Sequence, residues 1–86
     1  MFKIWAKTQT GDKIISDYMY INGDKYDERE FSAYLMEICH EMDIPTPVIL
    51  KHHIRGFHSF NITTFKAEDF VESVDFDKFV LENATV

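Results

Sequence analysis

The spacing of apolar residues changes within the first half of this chain, from alternation to a helical repeat. Residues 2–7 alternate, which places Phe2, Ile4 and Ala6 on one face of a strand. Residues 10–12 (Thr-Gly-Asp) have the composition of a turn, and residues 13–21 are rich in β-branched and aromatic side chains. This order predicts an N-terminal β-hairpin.

One cross-strand contact follows from the hairpin. Trp5 is expected to pair with Tyr18 or Tyr20 on the second strand. A two-stranded hairpin is only marginally stable by itself, so another element must cover its apolar face.

Residues 27–43 have the spacing of an amphipathic helix. Asp27 with Glu30 three residues later resembles a capping box. The apolar residues that recur on one face are Phe31, Tyr34, Leu35, Ile38 and Met42. We predict a central helix from about 27 to 43, ended by Pro45 and Pro47.

The segment after this helix has two interpretations. We predict a strand over residues 47–52, followed by an irregular or one-turn helical segment through residue 60, with a turn at Gly56. Thr46 followed by Pro47 is also a good start for a helix, and so short an apolar run cannot decide between them.

The C-terminal region gives weaker signals. Residues 61–65 are typical of a strand, and residues 67–72 resemble the acidic first turn of a short helix. Residues 74–82 fit either a strand or a helix. The fold class we predict is α+β: an N-terminal hairpin on a central helix, with a mixed strand and short-helix half completing one domain over residues 1–86.

Composition excludes several classes of protein. Cys39 is the only cysteine, so no intramolecular disulfide can form. No apolar run approaches the roughly 20 residues of a membrane span, and residues 1–13 lack a secretory pattern, which predicts a cytoplasmic protein. The net charge of −6 argues against nucleic acid and anionic membranes as partners.

Residues 51–60 (KHHIRGFHSF) form a small basic segment between two acidic ones. His52, His53 and His58 are candidate metal ligands, and Cys39 with His40 ends the preceding helix. The spacing matches no zinc motif, and on a strand His52 and His53 would point to opposite faces. The alternative is one buried, hydrogen-bonded histidine with the others solvated.

The same segment could hold an anion. Lys51 and Arg55 are the candidate anion-binding residues, because their side chains present cationic donors. The alternative is that this segment faces the acidic residues of 27–43 or 68–77 within the fold or across a dimer.

Catalytic candidates are few. Cys39 lies beside the apolar stripe of the helix, where a thiol usually packs, and Asp75 with Asp77 fits a solvated acidic surface. No nucleophile, base and acid can be assigned together, so the chain is not expected to be an enzyme, and no cofactor is implied.

The remaining function is an interaction or regulatory module. Six phenylalanines occur between residues 57 and 79, and they could either all pack in the core or leave an exposed part that docks a partner. We expect Arg55, Phe57 and Phe60 to contact a protein partner or a second copy of the chain in a homodimer. Metal or anion binding by residues 51–58 is the alternative.

Overall fold

The computed structural model describes residues 1–85. Its helices and strands follow the chain in this order: β1 Phe2–Thr10, β2 Lys13–Asn22, a 3₁₀ turn Glu28–Glu30, α1 Phe31–Met42, α2 Lys51–Phe60, β3 Ile62–Lys66, a 3₁₀ turn Ala67–Asp69 and β4 Lys78–Asn83. The predicted α+β class is confirmed. No helix within these residues has both the length and the apolarity needed to cross a membrane.

The four strands form one antiparallel sheet in the order β2-β1-β4-β3. The hairpin turn between β1 and β2 needs a left-handed residue, which Gly11 supplies with a φ of 61°. Asp77 Oδ2 accepts a hydrogen bond of 2.9 Å from the Gly11 backbone N–H, so the segment before β4 also holds this turn.

The hairpin is confirmed, but the expected aromatic pair across it is wrong. Trp5 lies opposite Met19, whereas Tyr18 and Tyr20 lie opposite Ala6 and Ile4. Directly paired residues share a face of the sheet, so Trp5 and the two tyrosines are on opposite faces.

Both helices cover the same face of the sheet. On α1 the predicted stripe is buried except for Met42, which is partly buried, and Tyr34 contacts Phe2 of β1 with ring centroids 4.8 Å apart. On α2, His53 stacks on Phe65 of β3 at 4.1 Å. The core between these layers consists mainly of aromatic and aliphatic side chains, including Phe31, Leu35, Ile38, Phe79 and Leu81.

The ends of the central helix differ in detail from the prediction. Asp27 accepts a hydrogen bond from the Arg29 backbone N–H and begins the 3₁₀ turn, and α1 follows from Phe31. The helix ends before the prolines, because Asp43 adopts a left-handed conformation (φ 56°) and its N–H bonds to the Cys39 and His40 carbonyls.

The strand predicted for residues 47–52 is wrong, and so is the turn at Gly56. Residues 44–50 have no regular structure, and α2 runs from Lys51 with Gly56 in its interior. A Cβ at Gly56 would lie 3.4 Å from the Ile62 carbonyl oxygen, an ordinary contact, so the helix lies close to β3 without requiring a glycine at this position. The strand at 61–65 is confirmed as β3, and the tail is the strand β4.

Candidate functional site

The basic segment is the helix α2, and its residues divide between the core and the surface. His53 and Phe57 point inward and are buried, whereas His52, Arg55, His58 and Phe60 are exposed. The helix therefore presents its cationic side chains outward and uses one histidine in the core.

His53 has a structural role. Its Nδ1 accepts a hydrogen bond of 3.0 Å from the backbone N–H of Leu50, the residue that precedes α2, and its ring stacks on Phe65. Its Nε2 lies 3.6 Å from Asp69 Oδ2 and has no hydrogen-bond partner among residues 1–85. Burial, and then the nearby charge of His52, lower the pKa of His53, so it is neutral at physiological pH.

The predicted metal ligands do not converge. No group of three His, Cys, Asp or Glu side chains within residues 1–85 has the arrangement of a metal site. The rings of His52 and His53 are 4.0 Å apart, but His58 lies elsewhere on α2, with its Nδ1 3.7 Å from Glu28 Oε2. The metal hypothesis stays a prediction, and the geometry brings no third ligand to it.

Lys51 and Arg55 lie one turn apart on the exposed face of α2 and line a shallow depression with Ile54. Glu28 forms another wall of this depression, so a carboxylate of the same chain already lies beside the two cations. This arrangement favours the alternative in which the basic segment faces the acidic residues of 27–43. The anion-binding hypothesis for these two residues stays untested.

The three predicted partner-binding residues do not share one surface. Phe57 is 3% exposed and contacts Tyr26 and Phe31, so it belongs to the core and not to a contact surface. Phe60 is 75% exposed at the end of α2, and Arg55 is exposed one turn earlier. The prediction placed Phe57 wrongly because its segment was expected to be a strand followed by an irregular region.

The weak catalytic candidates also have ordinary positions. Burial raises the pKa of the Cys39 thiol to about 11, so the thiolate that a nucleophile requires is scarce. Asp77 accepts the hydrogen bond from the hairpin turn, and Asp75 lies exposed in the loop before β4.

A surface that the sequence did not reveal is the face of the sheet opposite the helices. The strand register identifies its members. We call it the open sheet face, and it consists of Lys3, Trp5, Lys7, Gln9, Ile14, Asp17, Met19, Ile21, Ile62, Thr64, Lys66, Lys78, Val80 and Glu82. Met19, Ile21 and Ile62 are 43%, 58% and 42% exposed.

Part of the open sheet face is an internally satisfied network. The Lys7 ammonium lies 3.1 Å from Glu82 Oε1 and 3.9 Å from the centroid of the Trp5 ring. The indole N–H of Trp5 donates a 2.8 Å hydrogen bond to Asp17 Oδ2. These contacts fix the Trp5 ring at the centre of the face and use both of its carboxylates.

The other three lysines of this face form no ion pair with residues 1–85. Lys66 and Lys78 lie directly opposite each other on β3 and β4, with their side chains on the same face. Directly opposed like charges are unfavourable in a sheet, and this pair makes its end of the face cationic.

Comparison with protein-family models, with curated proteins and with solved structures finds no match to this chain. A function therefore has to be inferred from its own surfaces and cavities.

Proposed function

We propose that this protein is a non-catalytic interaction module that binds an acidic, apolar segment of a partner protein on the open sheet face. The observation that carries the proposal is the directly opposed pair Lys66 and Lys78 on the sheet face that also exposes apolar side chains, with Ile62 four residues before Lys66 on β3. The pair gives the sign of the partner's charge, and the apolar residues give the contact that would provide affinity.

The partly exposed apolar side chains of the face lie on three of its four strands, and Glu82 of β4 separates Trp5 from Ile62. Met19 and Ile21 are on the edge strand β2, Trp5 is on β1, and Ile62 is on the opposite edge strand β3. Each is only partly buried, so a partner that covers them buries apolar surface. This burial favours binding by about 25 cal/mol for each Å² removed from water. Aromatic and methionine side chains are also enriched at protein interfaces.

The charge of the face is opposite to that of the whole chain. Four lysines and two carboxylates occupy it, in a protein with a net charge of −6. Acidic side chains are concentrated elsewhere, for example Glu30, Glu37 and Glu41 around α1. Such segregation orients an acidic partner toward the sheet and away from the helices.

Nucleic acid fits this face less well. Sheets that bind single strands use aromatic rings as stacking platforms, but the Lys7 ammonium covers the Trp5 ring. The acidic remainder of the chain would also repel a phosphate backbone.

The proposal can be tested with a defined peptide. The probe is a short amphipathic peptide of glutamate, leucine and phenylalanine, and the control peptide has lysine at every glutamate position. We expect the acidic peptide to shift the amide resonances of Met19, Ile21 and Ile62 and to bind less tightly as salt increases. Equal binding of both peptides, or shifts confined to α2, would contradict the proposal.

Two matched double variants distinguish binding at the open sheet face from a general effect of net charge. The double variant Lys66→Glu with Lys78→Glu should weaken binding of the acidic peptide about tenfold or more. The double variant Lys51→Glu with Arg55→Glu changes the net charge equally on α2 and should leave binding within about twofold after correction for salt. If sedimentation detects a homodimer formed through the open sheet face, the partner is a second copy of the chain and not an acidic segment of another protein.

A further inference from the structure

A cavity lies at one end of the molecule, where the start of β1, the loop before α1, the end of α2 and the end of β4 meet. Its volume is about 240 Å³. Phe2, Tyr26 and Phe57 supply its aromatic walls, and Phe2 and Phe57 are buried in the core. The cavity borders one end of the open sheet face, because its lining residues Phe2, Asn61 and Asn83 are the sequence neighbours of Lys3, Ile62 and Glu82.

The polar groups around the cavity are mainly donors. Lys25 lines it and forms no ion pair with residues 1–85. No aspartate or glutamate is part of its lining, although the Glu28 carboxylate lies 3.7 Å from Nδ1 of His58, which lines the cavity. A lysine ammonium has three donors and no acceptor, so it is suited to a negatively charged group.

The orientation of Asn61 adds a second donor. The backbone N–H of Thr85 can only donate, and it bonds to Asn83 Oδ1 at 2.9 Å. Asn83 therefore offers its Nδ2, which donates to Asn61 Oδ1 at 3.2 Å. The amide nitrogen of Asn61 then has no acceptor among the described residues, so this side chain presents a donor at the cavity.

Tyr26 contributes its ring, and not its hydroxyl, to this cavity. The hydroxyl is shielded from solvent and has no hydrogen-bond partner within residues 1–85, so a group in the cavity does not reach it. Burial raises its pKa to about 12, so the hydroxyl keeps its proton and adds no negative charge beside the cavity.

We propose that this cavity binds a small carboxylate with an apolar body. The carboxylate would be held by Lys25 and the amide nitrogen of Asn61, and the apolar body would lie against Phe2, Tyr26 and Phe57. A cavity with aromatic walls and few convergent polar groups is the usual form of a small-molecule site, and its volume suits a single-ring compound. A phosphate ester fits less well, because only one lysine is present to neutralise it.

The experiment uses phenylacetate as the probe and phenylacetamide as its neutral counterpart of nearly the same shape. Phenylacetate should bind one site per chain by calorimetry and shift the amide resonances of Lys25, Tyr26 and Asn61. Phenylacetamide should bind about tenfold more weakly, because it lacks the charge-assisted hydrogen bonds. Equal affinity for the two compounds, or no saturable binding up to the solubility limit of phenylacetate, would overturn the proposal.

A matched pair of variants tests the location. Lys25→Met keeps the length of the side chain, removes its charge and should weaken phenylacetate binding about tenfold. Lys51→Met makes the same change on α2, away from the cavity, and should leave the affinity unchanged. Loss of binding in both variants, or in neither, would place the phenylacetate site outside this cavity. Because the probe is not a protein and Lys25 is not part of the open sheet face, the effect of Lys25→Met is independent of the partner-binding test. The amide of Ile62 directly follows Asn61 in sequence and is therefore not used to distinguish the two sites.

Discussion

Lowering the pH from about 7.5 to about 5.5 should destabilise this protein through His53. In the folded chain, burial holds the pKa of His53 below the ordinary value of 6.5, whereas in the unfolded chain the imidazole titrates normally. The folded state therefore binds fewer protons over this range. The contribution of His53 to stability is fully present above the unfolded pKa and is lost as the pH falls from about 6.5 toward the folded pKa.

The magnitude follows from linkage. Where the unfolded state holds one more proton than the folded state, the free energy of unfolding falls by about 1.4 kcal/mol for each pH unit. Two neighbours act in opposite directions: the charge of His52 reinforces the effect, and Asp69, at 3.6 Å from Nε2, reduces it. A slope of this size is large for a domain whose total stability is typically about 5–15 kcal/mol.

Urea denaturation at several pH values between about 5.5 and 7.5 measures the slope, and this range avoids most carboxylate titration. His53→Gln should flatten the slope, whereas His40→Gln changes an exposed residue of α1 and should retain it. The imidazole resonances of His53 in the folded protein should titrate below 6.5. A slope that survives His53→Gln, or a folded pKa above 6.5, would refute the reasoning.

Three further expectations concern packing. Gly56→Ala should raise the free energy of unfolding by about 0.5–1 kcal/mol, because alanine favours the helix and its Cβ would make an ordinary contact, 3.4 Å from the Ile62 carbonyl oxygen. A loss of stability in thermal unfolding would show that this contact is too close. Phe57→Ala should cost about 3–5 kcal/mol in urea denaturation and Phe60→Ala less than about 0.5 kcal/mol, because only the first is in the core; similar costs would mean that Phe60 is also buried in solution. Cys39 should resist alkylation by iodoacetamide at mildly alkaline pH until the chain unfolds, given burial and a pKa of about 11; fast modification of the native protein would contradict its buried position.

The N-terminal half was predictable because its signals are local and agree with one another. Alternation in β1, the glycine turn and the stripe on α1 all indicate the same structure. The helix α2 was missed because few of its residues are apolar. Its start also lacks a familiar cap, since His53 Nδ1 accepts the hydrogen bond from the Leu50 backbone N–H. Periodicity failed in β4 because Phe79, Val80 and Leu81 are all buried, which removes the alternation of a half-exposed strand.

The candidate sites depend on contacts that no local pattern encodes. The opposed lysines Lys66 and Lys78 become neighbours only through the pairing of β3 with β4, and Trp5 joins them only because β1 pairs with β4. The cavity similarly gathers residues from both ends of the sequence, such as Phe2 and Asn83. The sequence did indicate that His53 could be a buried, hydrogen-bonded histidine, and this alternative agrees with the structure.

The central position of β1 has a consequence for the order of folding. Residues Phe2–Thr10 are synthesised well before their partner strand β4, Lys78–Asn83, and Lys3 also bonds to Ala84 and Thr85. The long loop between β1 and β4 must close before their contacts form, and contacts so distant in sequence slow folding. During translation this edge of β1 therefore stays unpaired until β4 has emerged, and in that interval it can pair with a strand of another chain.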